Sequence, residues 1–204
     1  MATADALKRI CDMGVDKVIR FNIVNVIDVE ATCYPDRIFP PGETQEIIEV
    51  GIAVVDLRAR KIVDNHSLPI KPMFSKVSPF CTELTGWTQE ELDRIGTTYA
   101  EAQAILTGRF DSKNRPWISQ GNTDKYFFEK EAKLTGVPYP FGAEHMNIAF
   151  LTSLLTGRNK QLGLKKALRL FGLEMQGPHH RAKSDAYNSA CQLLEIVERA
   201  SFKI

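Results

Sequence analysis

Three segments rich in β-branched apolar residues dominate the first third of the chain. Residues 23–29 (Ile-Val-Asn-Val-Ile-Asp-Val) have the composition of a buried strand. Residues 46–56 and 61–70 predict two further strands, and the short polar link 57–60 joins them as a hairpin. The proline-rich stretch 35–42 predicts a loop between the first and second strands.

After the third strand the pattern changes to helical spacing. Ser78 and Pro79 suit the N-cap and first position of a short helix that ends at Gly86, and Thr88 with Glu91 has the spacing of a capping box. The remaining predicted elements are a helix over 99–106, a strand over 116–120, a helix over 123–134 closed by Gly136, a strand or loop over 146–150 leading into a helix over 150–156, a helix over 162–171 ended by Gly172, and a last helix over 184–200. This order predicts an α/β sandwich with a mixed sheet, an antiparallel hairpin on one side and parallel strands on the other.

Composition bounds the class of protein. With 204 residues, 44% hydrophobic and 25% charged, the chain is expected to be one globular domain over 1–204, with a core over about 20–200 and an extension over 1–19. No apolar run approaches the roughly 20 residues that a membrane helix needs, and the first 16 residues lack the apolar core of a secretory signal. We therefore expect a cytoplasmic protein, or a nuclear one if the source is eukaryotic.

The four cysteines and the charge distribution narrow the choice of sites. No Cys-x-x-Cys pair occurs among Cys11, Cys33, Cys81 and Cys191, so reduced buried thiols are favoured over a zinc site or a disulfide framework.

The net charge of the chain is +1, but residues 158–183 carry seven Lys/Arg against one acidic residue. That segment could contact phosphates or form a solvated helix face. Its closeness in sequence to His180 and Asp185 favours the interpretation that it contacts phosphates.

Two acids at the end of the first strand are anomalous. Asp28 and Glu30 are two residues apart on a strand, so their side chains lie on the same face. Two carboxylates placed in this way repel each other and lose hydration unless a cation lies between them, and Mg²⁺ or Mn²⁺ prefers such oxygen ligands. An exposed strand end would explain the pair equally well.

Three later residues are weak evidence when each is taken alone. Asp124 follows a short predicted strand near a helix start, where an aspartate commonly interacts with the helix dipole. His180 lies on a loop, and Asp185 lies in the first turn of the last helix. Each of these placements has an ordinary structural explanation.

Taken together and in order, these residues resemble the DEDDh family of 3′–5′ exonucleases. Residues 28–32 match its first motif, Asp-x-Glu at the end of the first strand. Asp124 matches the second motif, an aspartate at a helix start after a short strand. His180 and Asp185 match the third, His-x-x-x-x-Asp at the opening of a late helix.

A closer resemblance, to the branch of histone-mRNA 3′-end and RNA-interference-suppressing exonucleases, is carried by residues 28–33 (Asp-Val-Glu-Ala-Thr-Cys) and 80–86 (Phe-Cys-Thr-Glu-Leu-Thr-Gly). The resemblance covers about residues 22–200. Residues 119–124 depart from the family, since relatives often have an aromatic or acidic residue beside the glycine. The adjacent His179 stands six residues before the last aspartate, and we interpret it as a phosphate contact or a bystander.

The resemblance implies a ribonuclease H-like fold in which four carboxylates hold two Mg²⁺ or Mn²⁺ ions. Asp28 is expected to bridge both ions, Glu30 and Asp185 to hold the ion that activates water, and Asp124 to reach the other ion directly or through water. His180 is expected to deprotonate the water, since an imidazole pKa near 6.5 suits a base at neutral pH. The product would be a nucleoside 5′-monophosphate.

The expected substrate is the 3′ end of a nucleic acid, with RNA favoured over single-stranded DNA on resemblance only. The candidate substrate-contacting residues are Ala31, Thr32, Phe80, Leu84 and His180. Plain core packing is an equal alternative for the phenylalanine and the leucine, and it is favoured over base stacking for Trp87 and Tyr126. Two other functions remain open: a DNA-directed trimming or proofreading exonuclease, and a nuclease-like domain that binds RNA without cutting it.

Overall fold

The structure, a computed structural model, describes residues 22–200. Its centre is a five-stranded sheet in the order β3-β2-β1-β4-β5. The strands are β1 (Ile23–Ala31), β2 (Ile47–Asp56), β3 (Lys61–Pro69), β4 (Trp117–Ser119) and β5 (His145–Asn147). β1, β2 and β3 pair antiparallel, whereas β4 and β5 run parallel to β1. The predicted α/β sandwich with a mixed sheet is therefore confirmed.

Seven α-helices flank the sheet within the described residues. They are α1 (Pro79–Thr85), α2 (Gln89–Ile95), α3 (Tyr99–Gly108), α4 (Thr123–Thr135), α5 (Ile148–Leu155), α6 (Leu164–Phe171) and α7 (Ala182–Arg199), and a short 3₁₀ helix spans Pro35–Arg37. No helix of the described segment is both long and apolar enough to cross a membrane. The predicted N-terminal extension lies outside the described residues.

Three helix starts differ from the predicted ones, each for a local reason. The segment over 146–150 resolves into β5 followed directly by α5, because the Asn147 side chain accepts a hydrogen bond from the Phe150 amide (3.0 Å) and caps the helix. α6 begins at Leu164 because Gly163 is its N-cap. α7 begins two residues earlier than predicted, because the Glu49 carboxylate accepts a hydrogen bond from the Ala182 amide (3.0 Å).

The sheet has two buried faces, and the alternation along β1 decides which residues face which side. Ile27 and Val29 join a core formed with α3 and α4. Val24 and Val26 join the opposite core, which contains residues of α5, α6 and α7. Because alternate residues share a face, Asp28 and Glu30 continue the second row and lie on the α7 side of the sheet.

Candidate active site

The acid pair of β1 lies where the last helix begins. Asp28 pairs with Gly51 across the β1–β2 ladder, and Glu30 pairs with Glu49. A side chain at position 51 would collide with the backbone of Ala182, so the glycine lets the first turn of α7 lie directly on the sheet beside Asp28. This close approach brings the start of α7 to the acid pair.

Asp185, in the first turn of α7, completes a cluster of three carboxylates. Oxygen atoms of Asp28, Glu30 and Asp185 all lie within 4.8 Å of one another. The Asp185 side chain is only 5% exposed, and it is held in place by the loop that precedes α7. His179 Nδ1 lies 2.9 Å from its Oδ2, and the His180 amide donates to the same oxygen at 3.1 Å.

Asp124 reaches the cluster from the first turn of α4, the helix that follows the neighbouring parallel strand β4. β4 ends at Ser119, while β1 runs on beyond it. The Val29 amide, which lies between the two acids of β1, donates to Asp124 Oδ1 at 3.1 Å. The structure thus places all four predicted acidic residues at the end of β1, three in one tight cluster and Asp124 against its edge.

Burial and mutual repulsion make this group of carboxylates costly to ionise together. Burial and then the charge of Asp124 raise the pKa of Asp28 well above its ordinary value. Burial and the charge of Asp185 raise the pKa of Glu30 to about 8, and burial raises that of Asp124 to about 6. A divalent cation would relieve both costs, because it replaces lost hydration and neutralises the repulsion.

The two adjacent histidines have different surroundings. His179 is one-quarter exposed and contacts Asp185. His180 adopts a left-handed backbone conformation (φ 62°), its side chain is 41% exposed, and its Nδ1 lies 3.9 Å from Glu30 Oε1. Burial and the charge of His179 lower the pKa of His180, so its imidazole is neutral at neutral pH and can accept a proton.

Sequence reasoning missed Glu49, a fully buried carboxylate near the start of β2. Its Oε1 accepts a hydrogen bond from Ser67 Oγ (2.6 Å), and its Oε2 accepts from Trp87 Nε1 (2.9 Å) and from the Ala182 amide (3.0 Å). The Arg181 Nε lies 3.8 Å away, and its guanidinium stacks on the Trp87 ring at 4.0 Å. A negative charge at a helix N-terminus is stabilising, so Glu49 fixes the start of the helix that carries Asp185. A charged residue inside an apolar strand pattern was the available signal.

Two of the predicted substrate contacts lie in the wall of the site. Thr32 is fully buried, its amide donates to the Glu46 carbonyl (2.8 Å), and its hydroxyl accepts from the Glu46 amide (3.0 Å) and from Ser75 (2.9 Å). Both polar groups of Thr32 are therefore engaged within the protein, and its contact with a substrate stays a prediction. Ala31 is also buried, and its carbonyl faces the Cys81 thiol.

The other apolar candidates divide between surface and core. Phe80 and Leu84 lie one turn apart on α1 and are 41% and 38% exposed, so core packing alone does not account for them. Tyr126 is also exposed and could stack on a base. Trp87 is buried and hydrogen-bonded to Glu49, which removes it as a stacking platform. Of the cysteines, Cys33, Cys81 and Cys191 are free thiols, and Cys11 lies outside the described residues.

Curated proteins with similar sequences are exoribonucleases. The human protein "3'-5' exoribonuclease 1" is 33% identical over 179 residues, covering 83% of this chain and 51% of its own length. "ERI1 exoribonuclease 2" of Xenopus laevis is 27% identical over 205 residues, covering 83% of this chain and 28% of its own length. The chain thus spans about half, or less, of these relatives.

Solved structures confirm the ribonuclease H-like exonuclease fold. The nuclease domain of 3'hExo, a DEDDh family member bound to rAMP, aligns with a TM-score of 0.78 at 24% identity over 88% of this chain and 93% of that one. S. pombe Pop2p in its Mg²⁺- and Mn²⁺-bound form aligns with a TM-score of 0.66 at 19% identity over 88% and 84%. The sequence model described as "Exonuclease" (RNase_T) matches residues 25–193. The chain therefore belongs to this exonuclease family, as its motifs predicted.

Proposed function

We propose that the protein is a metal-dependent 3′–5′ exonuclease that releases nucleoside 5′-monophosphates from the 3′ end of RNA. The observation that carries the proposal is the convergence of Asp28, Glu30 and Asp185 within 4.8 Å, with Asp124 at their edge. Such a group of buried acids has no evident structural use, because it destabilises the end of β1 unless it binds a cation.

The donor set fits Mg²⁺ or Mn²⁺. All four side chains offer carboxylate oxygens, the ligands that these hard ions prefer, and among residues 22–200 no cysteine contributes a donor to the cluster. Asp28, Glu30 and Asp185 would hold the metal, with Asp124 at the edge of the cluster as a further ligand. Two ions bound there would supply an activated water and neutralise charge on the leaving oxygen. Pop2p, which has a similar fold, binds the same two metals.

The protein's own residues would move the proton and orient the cluster. His180 is open to solvent and has a lowered pKa, so it is the group we assign as the base that takes a proton from the attacking water. His179 instead holds Asp185 through a short contact, so we assign it to orienting that ligand. Glu49 accepts a hydrogen bond from the Ala182 amide, and this contact fixes the backbone that leads from the two histidines into α7.

RNA is the substrate that the relatives favour. The similar human protein is named as an exoribonuclease, and a structure with a similar fold holds rAMP. On this chain, the exposed Phe80 and Leu84 form an apolar surface on α1 for the terminal nucleotide, and Tyr126 is an exposed aromatic residue of α4. Within residues 22–200 no element suggests base-specific readout, so we expect weak sequence preference.

Digestion of matched, 5′-labelled single-stranded RNA and DNA tests the proposal. The wild-type protein is expected to shorten RNA from its 3′ end more efficiently than DNA in Mg²⁺ or Mn²⁺. His180→Ala should remove most activity while binding Mn²⁺ as tightly as the wild type, whereas His179→Ala should weaken Mn²⁺ binding measured by calorimetry. A large preference for DNA would favour a DNA-trimming enzyme. Tight binding of RNA without any cleavage in either metal would indicate a binding domain instead.

A further inference from the structure

Five exposed cations lie in a part of the chain that contains no acidic residue. Between residues 150 and 173 the charged side chains are Arg158, Lys160, Lys165, Lys166 and Arg169. All five are exposed, and among residues 22–200 none of them forms an ion pair with a carboxylate. Positive charge that the protein leaves unneutralised attracts a polyanion.

This basic segment adjoins the candidate active site. The Gln120 side chain, which directly follows β4, donates a hydrogen bond to the Leu162 carbonyl at 3.0 Å. Lys165 stands near enough to His180 for its charge to act on that imidazole. The basic segment therefore lies beside the loop between β4 and α4, and the first turn of α4 carries Asp124.

An apolar stripe on α5 borders the same segment. Phe150 and Leu154 are four residues apart, so they share one face of α5, and Asn147 caps the start of that helix. The phenylalanine is 52% exposed and the leucine 64% exposed. The Asn147 side chain donates to Gln161 Oε1 at 3.2 Å, which joins this stripe to the basic segment. Exposed cations beside an exposed aromatic ring are therefore present on one continuous surface.

We propose that this basic and aromatic surface, formed by Phe150, Leu154 and residues 158–166, binds the part of a single-stranded RNA that lies upstream of its terminal nucleotide. The cations would contact successive phosphates, and a base would stack on Phe150. Single-stranded nucleic acid presents phosphates and unpaired bases in alternation. The surface presents a matching group for each, cations for the phosphates and an aromatic ring for a base. This inference rests on the proposed exonuclease function.

The test compares a long and a minimal substrate. The variant Arg158→Gln/Lys160→Gln/Lys166→Gln removes three charges but keeps Lys165, because the charge of that lysine acts on His180. The control, Lys61→Gln/Lys133→Gln, removes two exposed cations, one at the start of β3 and one at the end of α4 that is far from Asp124. The substrates are a labelled single-stranded RNA and the p-nitrophenyl ester of thymidine 5′-monophosphate, which fills only the terminal position.

For the triple variant we expect kcat/KM on the RNA to fall by about tenfold or more, and the slope of its logarithm against the logarithm of salt concentration to become shallower by about 2. Hydrolysis of the ester should stay within about twofold of wild type, as should both activities of the control. Phe150→Ala should lower kcat/KM on the RNA by about fivefold or more and leave the ester unaffected.

Two patterns would overturn the inference. One is equal loss on RNA and ester; the other is wild-type activity and salt dependence in the triple variant. If the wild-type protein cleaves neither substrate, the proposed function fails, and fluorescence anisotropy with the same RNA then decides about the surface. Weaker RNA binding by the triple variant than by the control would support the surface, and equal binding would refute it.

Discussion

Replacement of Gly51 by alanine tests how the fold brings the carboxylates together. Gly51 lies on the α7 face of β2, directly opposite Asp28. A Cβ atom at this position would lie 1.9 Å from the Ala182 carbonyl oxygen, 2.0 Å from its carbon and 2.5 Å from the Lys183 amide nitrogen. These are backbone atoms of the first turn of α7, so no side chain can rotate away to make room.

The size of the required movement follows from the contacts. Ordinary contacts of a Cβ atom begin at 3.4 Å, so the closest one must open by about 1.5 Å, the difference between 3.4 Å and 1.9 Å. Overpacking of this kind costs about 1–3 kcal/mol. Asp185 lies three residues after Ala182 and moves with the helix, and a misplacement of about 1 Å at a reacting centre can cost about 100-fold in rate. We therefore expect Gly51→Ala to lose most activity while it remains folded.

Gly108→Ala is the matched control, because nothing lies within 4 Å of a Cβ atom built at Gly108. The assay measures thermal unfolding, kcat on single-stranded RNA and Mn²⁺ affinity by calorimetry for both variants. Gly51→Ala should lower all three, and Gly108→Ala should match the wild type. Wild-type kcat and wild-type Mn²⁺ affinity in Gly51→Ala would refute the argument that the close approach of α7 to β2 builds the site.

Two further substitutions test buried carboxylates. Burial raises the pKa of Glu131 from 4.5 to about 7, so the folded state binds more protons than the unfolded state between these values, and stability falls as pH rises through this window. Glu131→Gln should therefore stabilise the protein by up to ~3 kcal/mol at pH 8 and by little at pH 4, measured by urea unfolding, and the exposed Glu129→Gln should not. Glu49→Ala leaves the buried Trp87 Nε1 and Ala182 amide donors without their acceptor, which should cost about 1–3 kcal/mol for each donor and raise the Mg²⁺ concentration needed for half-maximal activity. Glu49→Gln, which keeps an acceptor oxygen, should be milder, and wild-type stability and Mg²⁺ requirement in Glu49→Ala would contradict the role assigned to this residue.

Local sequence patterns were sufficient to predict most of the helices and strands and the placement of Asp28 and Glu30 on one face. The spacing of Asp28 and Glu30 on a strand places both on one face wherever the strand lies, so their convergence could be predicted. The glycines that close α1 and α4, Gly86 and Gly136, adopt left-handed conformations with φ of 75° and 74°. A glycine there ends a helix without steric cost, which is why the sequence marked these ends correctly.

What the sequence did not reveal depends on contacts between distant residues. The Glu49 carboxylate binds the Ala182 amide, 133 positions away, and no local pattern announces that contact. The His-x-x-x-x-Asp spacing selected His180, whereas the side-chain contact of His179 with Asp185 follows from the turn that precedes α7. In the same way, Thr32 directly follows the acid-bearing strand, but its pairing with Glu46 turns it into the interior.

The most direct test of the central claim is product analysis of a metal titration. A 5′-labelled single-stranded RNA is incubated with the wild-type protein and with Asp28→Asn in Mg²⁺, in Mn²⁺ and in EDTA. We expect stepwise shortening from the 3′ end with release of nucleoside 5′-monophosphates by the wild type in metal, and neither shortening nor release in EDTA or by Asp28→Asn. Release of mononucleotides by Asp28→Asn at the wild-type rate, or by the wild type in EDTA, would contradict the central claim.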